Sequence, residues 1–345
     1  MFENPLPGKP QLVNKVVGSL GARLLESEHV CTPSYPGLVN GVFRLIALML
    51  VLTPSEFIRS FDRPGHFTKV RICIATALIY EDQMSKQNPV IVIVPGGFCS
   101  PKLYTKVADI LKNDGFTVLV PPLAVCGNLP SKDPTSPEYK DLASKTPLDD
   151  VQQIHNLLIP YLDHGREAVV FAHSYGSTPG MLSVEGQTVE ERAARGLKGG
   201  IKGFVTISGS AYPVRGCNVL GNTEETPIMP YHRLEEGVLH MQGDEAKPLF
   251  FSDLPPEAQT TAWANVFESQ SRKSLNHKAD FIEADIRIPK TYISCEKDEC
   301  IIPAYQEIFI KSGGFERVEK LPSGHFPFLS IPQDTAKLLG RIATE

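Results

Sequence analysis

Several signatures are missing from this chain, and each absence removes a class of function. There is no run of Lys and Arg, and the net charge is −5. Phosphate neutralisation needs clustered cations, so a nucleic-acid partner is not expected. No apolar stretch approaches the roughly 20 residues that a membrane helix requires. The most apolar one, Leu45 to Leu52, is bounded by Arg44, Pro54 and Glu56; it reads as a buried or surface-docked helix, with a membrane-surface anchor as the alternative. It is not placed like a secretory signal either, because acids and prolines precede it. The cysteines number seven, odd and irregularly spaced, which fits scattered reduced thiols and neither a disulfide framework nor a zinc site. They predict an intracellular, cytoplasmic protein. With no His-x-x-x-His and no carboxylate cluster at ligand spacing, no metal or other cofactor is expected. Neither phosphate-cradling spacing, G-x-x-x-x-G-K-[ST] or G-x-G-x-x-G, occurs.

What is present begins at Ala168-Val169-Val170-Phe171-Ala172-His173-Ser174-Tyr175-Gly176, a short apolar run leading into small-x-Ser-x-Gly. In a strand-to-helix turn of this kind the serine sits in a strained backbone conformation, and small residues two before and two after let strand and helix approach. Ala172 stands where the pattern usually has glycine. Alone, five residues fit equally a buried strand followed by a Ser-capped helix, so the later groups matter. A serine nucleophile needs a base, and the base needs an acid to orient it. Lys290 to Cys295 reads as a strand followed by a loop holding Asp298, flanked by Glu296 and Glu299; Arg317 to Leu321 reads as a last strand, followed by Pro322-Ser323-Gly324-His325-Phe326-Pro327. The order Ser174, Asp298, His325 suits a doubly wound sheet carrying nucleophile, acid and base. His173 is read as a packing residue beside the turn, and His232, His240 and His277 as weaker candidates for the base.

Pro89 to Val94 is a near-continuous apolar run suited to a central parallel strand, and it ends in Pro95-Gly96-Gly97-Phe98. The backbone N–H of Gly97, or that of Phe98, is expected to join that of Tyr175 in holding an oxyanion. Helical spacing from Leu103 to Asn113, a strand over Phe116 to Val120, a helix over Pro147 to Leu162 capped by Thr146, and a strand over Phe204 to Ser208 supply βα repetition. The fold class is therefore α/β, with a doubly wound, mostly parallel sheet. At 345 residues, one such domain with an insertion uses most of the chain.

From about Pro89 onward the chain resembles the α/β-hydrolase superfamily, in the esterase branch related to plant methylesterases and hydroxynitrile lyases. The resemblance lies in Ala172 to Gly176, in Tyr292 to Asp298 with Pro303 and Gln306 beyond, and in Ser323 to Pro332. It implies the same roles: Ser174 nucleophile, Asp298 acid, His325 base, Gly97 and Tyr175 oxyanion donors. Hydroxynitrile lyases carry lysine directly after the histidine and threonine in the oxyanion loop; Phe326 and Gly96 stand here, which argues against cyanohydrin chemistry. Pro95 replaces a histidine found in many members. The resemblance also suggests a place in specialised (secondary) metabolism.

The expected organisation is an N-terminal extension over 1–88, in which Val70 to Tyr80 could form an early strand, and a hydrolase domain over 89–345 with a lid inserted at about 211–287. Helical segments are expected near Pro256 to Ser271. Tyr212, Met229, Tyr231, Met241, Phe250, Phe251 and Trp263 offer apolar surface to a substrate. The activity that follows is hydrolysis of a small or medium hydrophobic carboxylic ester, thioester or lactone through an acyl-serine. Two alternatives are a slow or non-catalytic small-molecule-binding protein on the same fold and a C–C bond hydrolase. A homodimer is compatible with the sequence.

Overall fold

The computed structural model describes residues 87–345; the readings of Leu45 to Leu52 and Val70 to Tyr80 lie outside the described residues. The apolar run after Pro89 forms β1 (Val90–Val94), five consecutive buried β-branched residues. A 3₁₀ turn (Pro101–Tyr104) leads into α1 (Thr105–Asn113), then β2 (Thr117–Leu119), the short β3 (Cys126–Gly127), α2 (Pro137–Ser144) and α3 (Pro147–Asp163). Thr146 marks the start of α3, its N–H donating to the Asp149 carboxylate at 2.8 Å. There follow β4 (Glu167–His173), a 3₁₀ turn (Ser174–Gly176), α4 (Ser177–Leu182), α5 (Val189–Ala194) and β5 (Gly200–Ile207). A long excursion then holds β6 (His232–Glu235), β7 (Val238–Met241), α6 (Gly243–Phe250), α7 (Pro256–Trp263), β8 (Ser269–Ser271) and α8 (Arg272–Leu275). The chain returns with β9 (Lys290–Cys295), α9 (Pro303–Ser312), β10 (Arg317–Leu321), α10 (Pro327–Ser330) and α11 (Pro332–Thr344).

Among the described residues the main sheet has six strands in the order β10-β9-β5-β4-β1-β2, and every pairing between them is parallel. Pleating sends alternate residues to opposite faces. Ile91 and Ile93 join Val107 and Leu111 of α1 and Leu339 of α11, whereas Val90, Val92 and Val94 join Ile154 and Leu158 of α3 and Met181 of α4. Helices cover both faces, as a sheet buried on two sides requires. The order reverses between β1 and β4, because the chain leaves β1 toward β2 and later continues from β4 toward β5. At such a switch point the connections diverge and open a crevice beyond the carboxyl ends of the strands.

A second, antiparallel sheet runs β3-β8-β7-β6. One of its strands, β3, comes from before α2, so the excursion is tied to an earlier loop. The helical reading of Pro256 to Ser271 holds only to Trp263. Beyond it Val266 bridges Cys99, Phe267 N–H donates to the Phe98 carbonyl at 2.6 Å, and Ser269–Ser271 becomes β8. Strand partners distant in sequence decide the conformation there, against the local pattern.

Candidate active site

The turn after β4 is built as its small residues suggest. Ser174 has φ 54°, a left-handed conformation costing a non-glycine residue about 1–3 kcal/mol, and it is held by a strand paired on both sides. A Cβ on Gly176 would stand 2.3 Å from the Pro95 carbonyl oxygen, so only glycine fits there. Ala172 is accommodated by Gly180, where an added Cβ would lie 2.6 Å from the Ala172 Cβ. The helix therefore comes down onto β4, and Ser174 is left half-buried at the crevice.

Asp298 and His325 arrive from the carboxyl ends of β9 and β10. Those strands continue as a pair of loops, with Glu296 N–H donating to the Leu321 carbonyl and Lys297 N–H to that of Ser323, both at 2.9 Å. Buried Gln306 spans the acid loop: its Oε1 accepts from Cys295 N–H at 3.0 Å, and its Nε2 donates to the carbonyls of Cys295 and Ile301. The result brings His325 Nδ1 to 2.7 Å from Asp298 Oδ2. Ser208, at the end of β5 with φ 41°, donates its hydroxyl to the same oxygen, and Asp298 Oδ1 accepts from the N–H groups of Cys300 (2.7 Å) and Ile301 (2.9 Å). Burial pushes the Asp298 carboxyl upward, but the charge of His325 and these hydrogen bonds outweigh it and hold the group below the ordinary carboxylate range. Burial likewise lowers the proton affinity of His325, and the Asp298 carboxylate first, with Cys300 second, more than reverses that, leaving it well above the ordinary histidine value. Among the described residues Ser174 Oγ has no hydrogen-bond partner; its neighbour His173 lies ring to ring with His325 at 4.7 Å.

The loop after β1 uses its amides separately. Gly96 N–H donates to Tyr104 Oη at 2.8 Å, and Phe98 N–H to Gln270 Oε1 at 2.9 Å. Of the two candidates Gly97 and Phe98, the structure engages Phe98 with Gln270 and leaves Gly97 N–H without an acceptor among the described residues. Tyr175 occupies the opening of its helical turn, where amides have no intrahelical acceptor. Its side chain is anchored by Asp150, a fully buried residue at the start of α3: Tyr175 Oη donates to Asp150 Oδ2 at 2.7 Å, while Oδ1 accepts from Ala124 and Val125 N–H at 2.6 and 3.2 Å.

His173 packs beside the turn, as read from the sequence, and does more. Its Nε2 lies 2.8 Å from the His325 carbonyl oxygen, which can only accept, so the proton is on Nε2. Nδ1 then accepts from Tyr104 Oη at 2.8 Å. Burial first, and His325 second, keep His173 neutral by lowering its pKa well below the ordinary value. A buried chain of hydrogen bonds thus runs from Gly96 through Tyr104 and His173 to the backbone of His325. Sequence reasoning missed Tyr104, Asp150, Ser208 and Gln270. Ser208, directly after a strand in Ser-Gly-Ser, carried a turn signal; the other three had none. The remaining histidines stand apart from Asp298: His232 packs on Phe98, ring centres 5.0 Å apart, and His240 on Tyr139 at 5.9 Å, while His277 makes no contact with the acid. Of the apolar excursion residues, Phe250 lies 5.8 Å from His325 and 5.9 Å from Tyr231, whereas Tyr212 belongs to the core beneath the sheet.

A half-buried, strained serine at a switch point, with a buried carboxylate–imidazole pair on the neighbouring loops, defines an α/β hydrolase. The profile of the Alpha/beta hydrolase family matches residues 91–338, and the chain belongs to that family. A protein from Phoma sp. described as "Probable hydrolase R7" is 26% identical over 266 residues, covering 74% of this chain and 98% of the relative. Among solved structures, polyneuridine aldehyde esterase is similar with TM-score 0.58 and 19% identity, over 74% of this chain and 100% of that one. The Arabidopsis methylesterase MES16 has TM-score 0.53 and 15% identity, over 74% and 99%. The resemblance to an esterase branch related to plant methylesterases is thereby borne out at the level of fold. No helix among the described residues is long and apolar enough to cross a membrane.

Proposed function

We propose that this chain is a serine hydrolase of a small or medium hydrophobic carboxylic ester, thioester or lactone, with Ser174, Asp298 and His325 as its triad. The observation that carries the reading is the 2.7 Å His325–Asp298 contact, together with a serine held at φ 54° whose preceding residue, His173, lies 4.7 Å ring to ring from His325. His325, oriented by Asp298, takes the Ser174 proton as Oγ attacks the substrate carbonyl. The amides of Gly97 and Tyr175 receive the negative charge on the carbonyl oxygen, and His325 returns the proton to the departing alcohol or thiol. Water, activated by the same imidazole, then releases the acid and regenerates the serine. The excursion between β5 and β9 acts as the lid, and the ring of Phe250 beside His325, with that of Tyr231 packed on Phe250, favours an apolar substrate. A role in specialised metabolism rests on resemblance alone.

Labelling of the purified chain with a fluorophosphonate tests this. Label is expected on the parent and absent from Ser174→Ala and His325→Ala. Label retained by Ser174→Ala would remove the nucleophile assignment, and a folded but unlabelled parent would move a small-molecule-binding protein ahead of the enzyme.

A further inference from the structure

The excursion contributes none of the five residues assigned to the chemistry, yet two of its side chains grip the loops that carry them. Gln270 on β8 is fully buried. Its Oε1 accepts from Phe98 N–H at 2.9 Å, and its Nε2 donates to Ser274 Oγ at 2.8 Å, itself anchored on the Ser271 carbonyl at 2.7 Å. An N–H can only donate, so this pairing also sets which end of the amide faces the loop. Phe98 is held at φ 58°, a conformation that a phenylalanine does not keep without support. The support comes from the excursion: Gln270, Phe267 N–H on the Phe98 carbonyl at 2.6 Å, and Ser100 N–H on the Asn265 carbonyl at 3.1 Å. A Cβ on Gly97 would meet Gln270 Oε1 at 2.7 Å, so the amide side chain also lies directly against the residue whose N–H is left free.

The second grip is on the histidine loop. Asp253, just after α6, accepts from Gly324 N–H at 2.6 Å, and a Cβ on Gly324 would stand 2.7 Å from its other oxygen. Gly324 immediately precedes His325, whose carbonyl accepts from His173 Nε2 at 2.8 Å. The excursion therefore fixes one flank of the base and one flank of the oxyanion loop, through contacts to backbone.

We propose that Gln270 and Asp253 are positioning residues: the excursion locks the oxyanion loop through Gln270 and the His325 loop through Asp253, so that acylation requires it to be seated. Removing Gln270 would free Phe98 N–H and let Gly97 relax from the position in which its amide meets the oxyanion. Removing Asp253 would let His325 drift from Ser174 while Asp298 still holds its ring. Displacements of about 1 Å in such groups cost about 100-fold in rate. The inference rests on the triad reading above.

The test uses the full chain with 4-nitrophenyl butyrate as substrate, phenylboronic acid as a mimic of the tetrahedral oxyanion, and thermal unfolding as a check on folding. Gln270→Leu and Asp253→Ala are each expected to lower kcat by about 10- to 100-fold with KM within about twofold. Gln270→Leu should also weaken phenylboronic acid binding by a factor similar to its loss of kcat. Asp253→Asn keeps an oxygen acceptor for Gly324 N–H and should recover most of the rate. Unchanged kcat in the two disruptive variants, a loss confined to KM, or a loss that tracks the unfolded fraction and is not rescued would each overturn the proposal. Hydrolysis that survives Ser174→Ala would instead overturn the triad reading, and this inference with it.

Discussion

Replacing Asp150 by Asn should change the way stability depends on pH, and the structure sets the size of the change. Asp150 is completely buried. Burial pushes its carboxyl from 3.8 up to about 7, against the opposing hydrogen bonds from Tyr175, Val125 and Ala124. Between those values the native state binds a proton that the unfolded chain has already released, so stability falls as pH rises. The contribution is complete below about 3.8 and lost as pH passes through about 7. An interval of about three pH units at about 1.4 kcal/mol each makes the loss about 4 kcal/mol. Asn mimics the protonated acid: its carbonyl can accept from Ala124 and Val125, and its amide can donate to Tyr175 Oη. Urea unfolding of parent and variant from pH 4 to pH 8, followed by the fluorescence of Trp263, the single tryptophan, should show near-equal stability at the acid end. The variant should become the more stable by up to about 4 kcal/mol at the other end. Glu283, also buried and pushed up to about 7, adds the same trend to both proteins and cancels in the difference. A difference that stays constant across the range would refute the reasoning, because it would mean that the three hydrogen bonds hold Asp150 ionised at an ordinary pKa.

Three further outcomes follow from the site. Asp298→Asn should reduce kcat by about 10³- to 10⁴-fold; because the carboxylate raises the proton affinity of His325, and the base works only when deprotonated, the acid limb of the residual pH–rate profile should move to lower pH than in the parent. Tyr104→Phe strands Gly96 N–H and His173 Nδ1 in the interior and should cost about 2–6 kcal/mol in denaturant unfolding at about 1–3 per stranded group, with a drop in kcat; unfolding within error of the parent would show that the chain of hydrogen bonds contributes nothing. Gly176→Ala would drive a Cβ against the Pro95 carbonyl at 2.3 Å and should abolish fluorophosphonate labelling before it unfolds the protein, which circular dichroism can separate.

Much of this protein follows from local pattern. Five β-branched residues in a row at Val90–Val94 have no better solution than a strand buried on both faces, and the later βα alternation imposes parallel pairing. Small residues around Ser174 announce the turn because the approach of α4 to β4 and of the turn to the Pro95 loop leaves no room for a larger side chain. Asp298 and His325 were readable for a similar reason: each follows a recognisable strand, and strand ends on one edge of a parallel sheet must meet. What the sequence could not determine is which polar groups complete the site. Gln270 meets Phe98 across 172 positions, Asp253 meets Gly324 across 71, and Tyr104 meets His173 across 69. Nothing local distinguishes these residues from polar side chains facing water. Their roles exist only because burial strips the loop amides and imidazole nitrogens of solvent, after which each must find a partner within the fold. The same long-range pairing turned Ser269–Ser271 from an expected helix end into β8, and with that strand it placed Gln270 against the loop that Gly97 occupies.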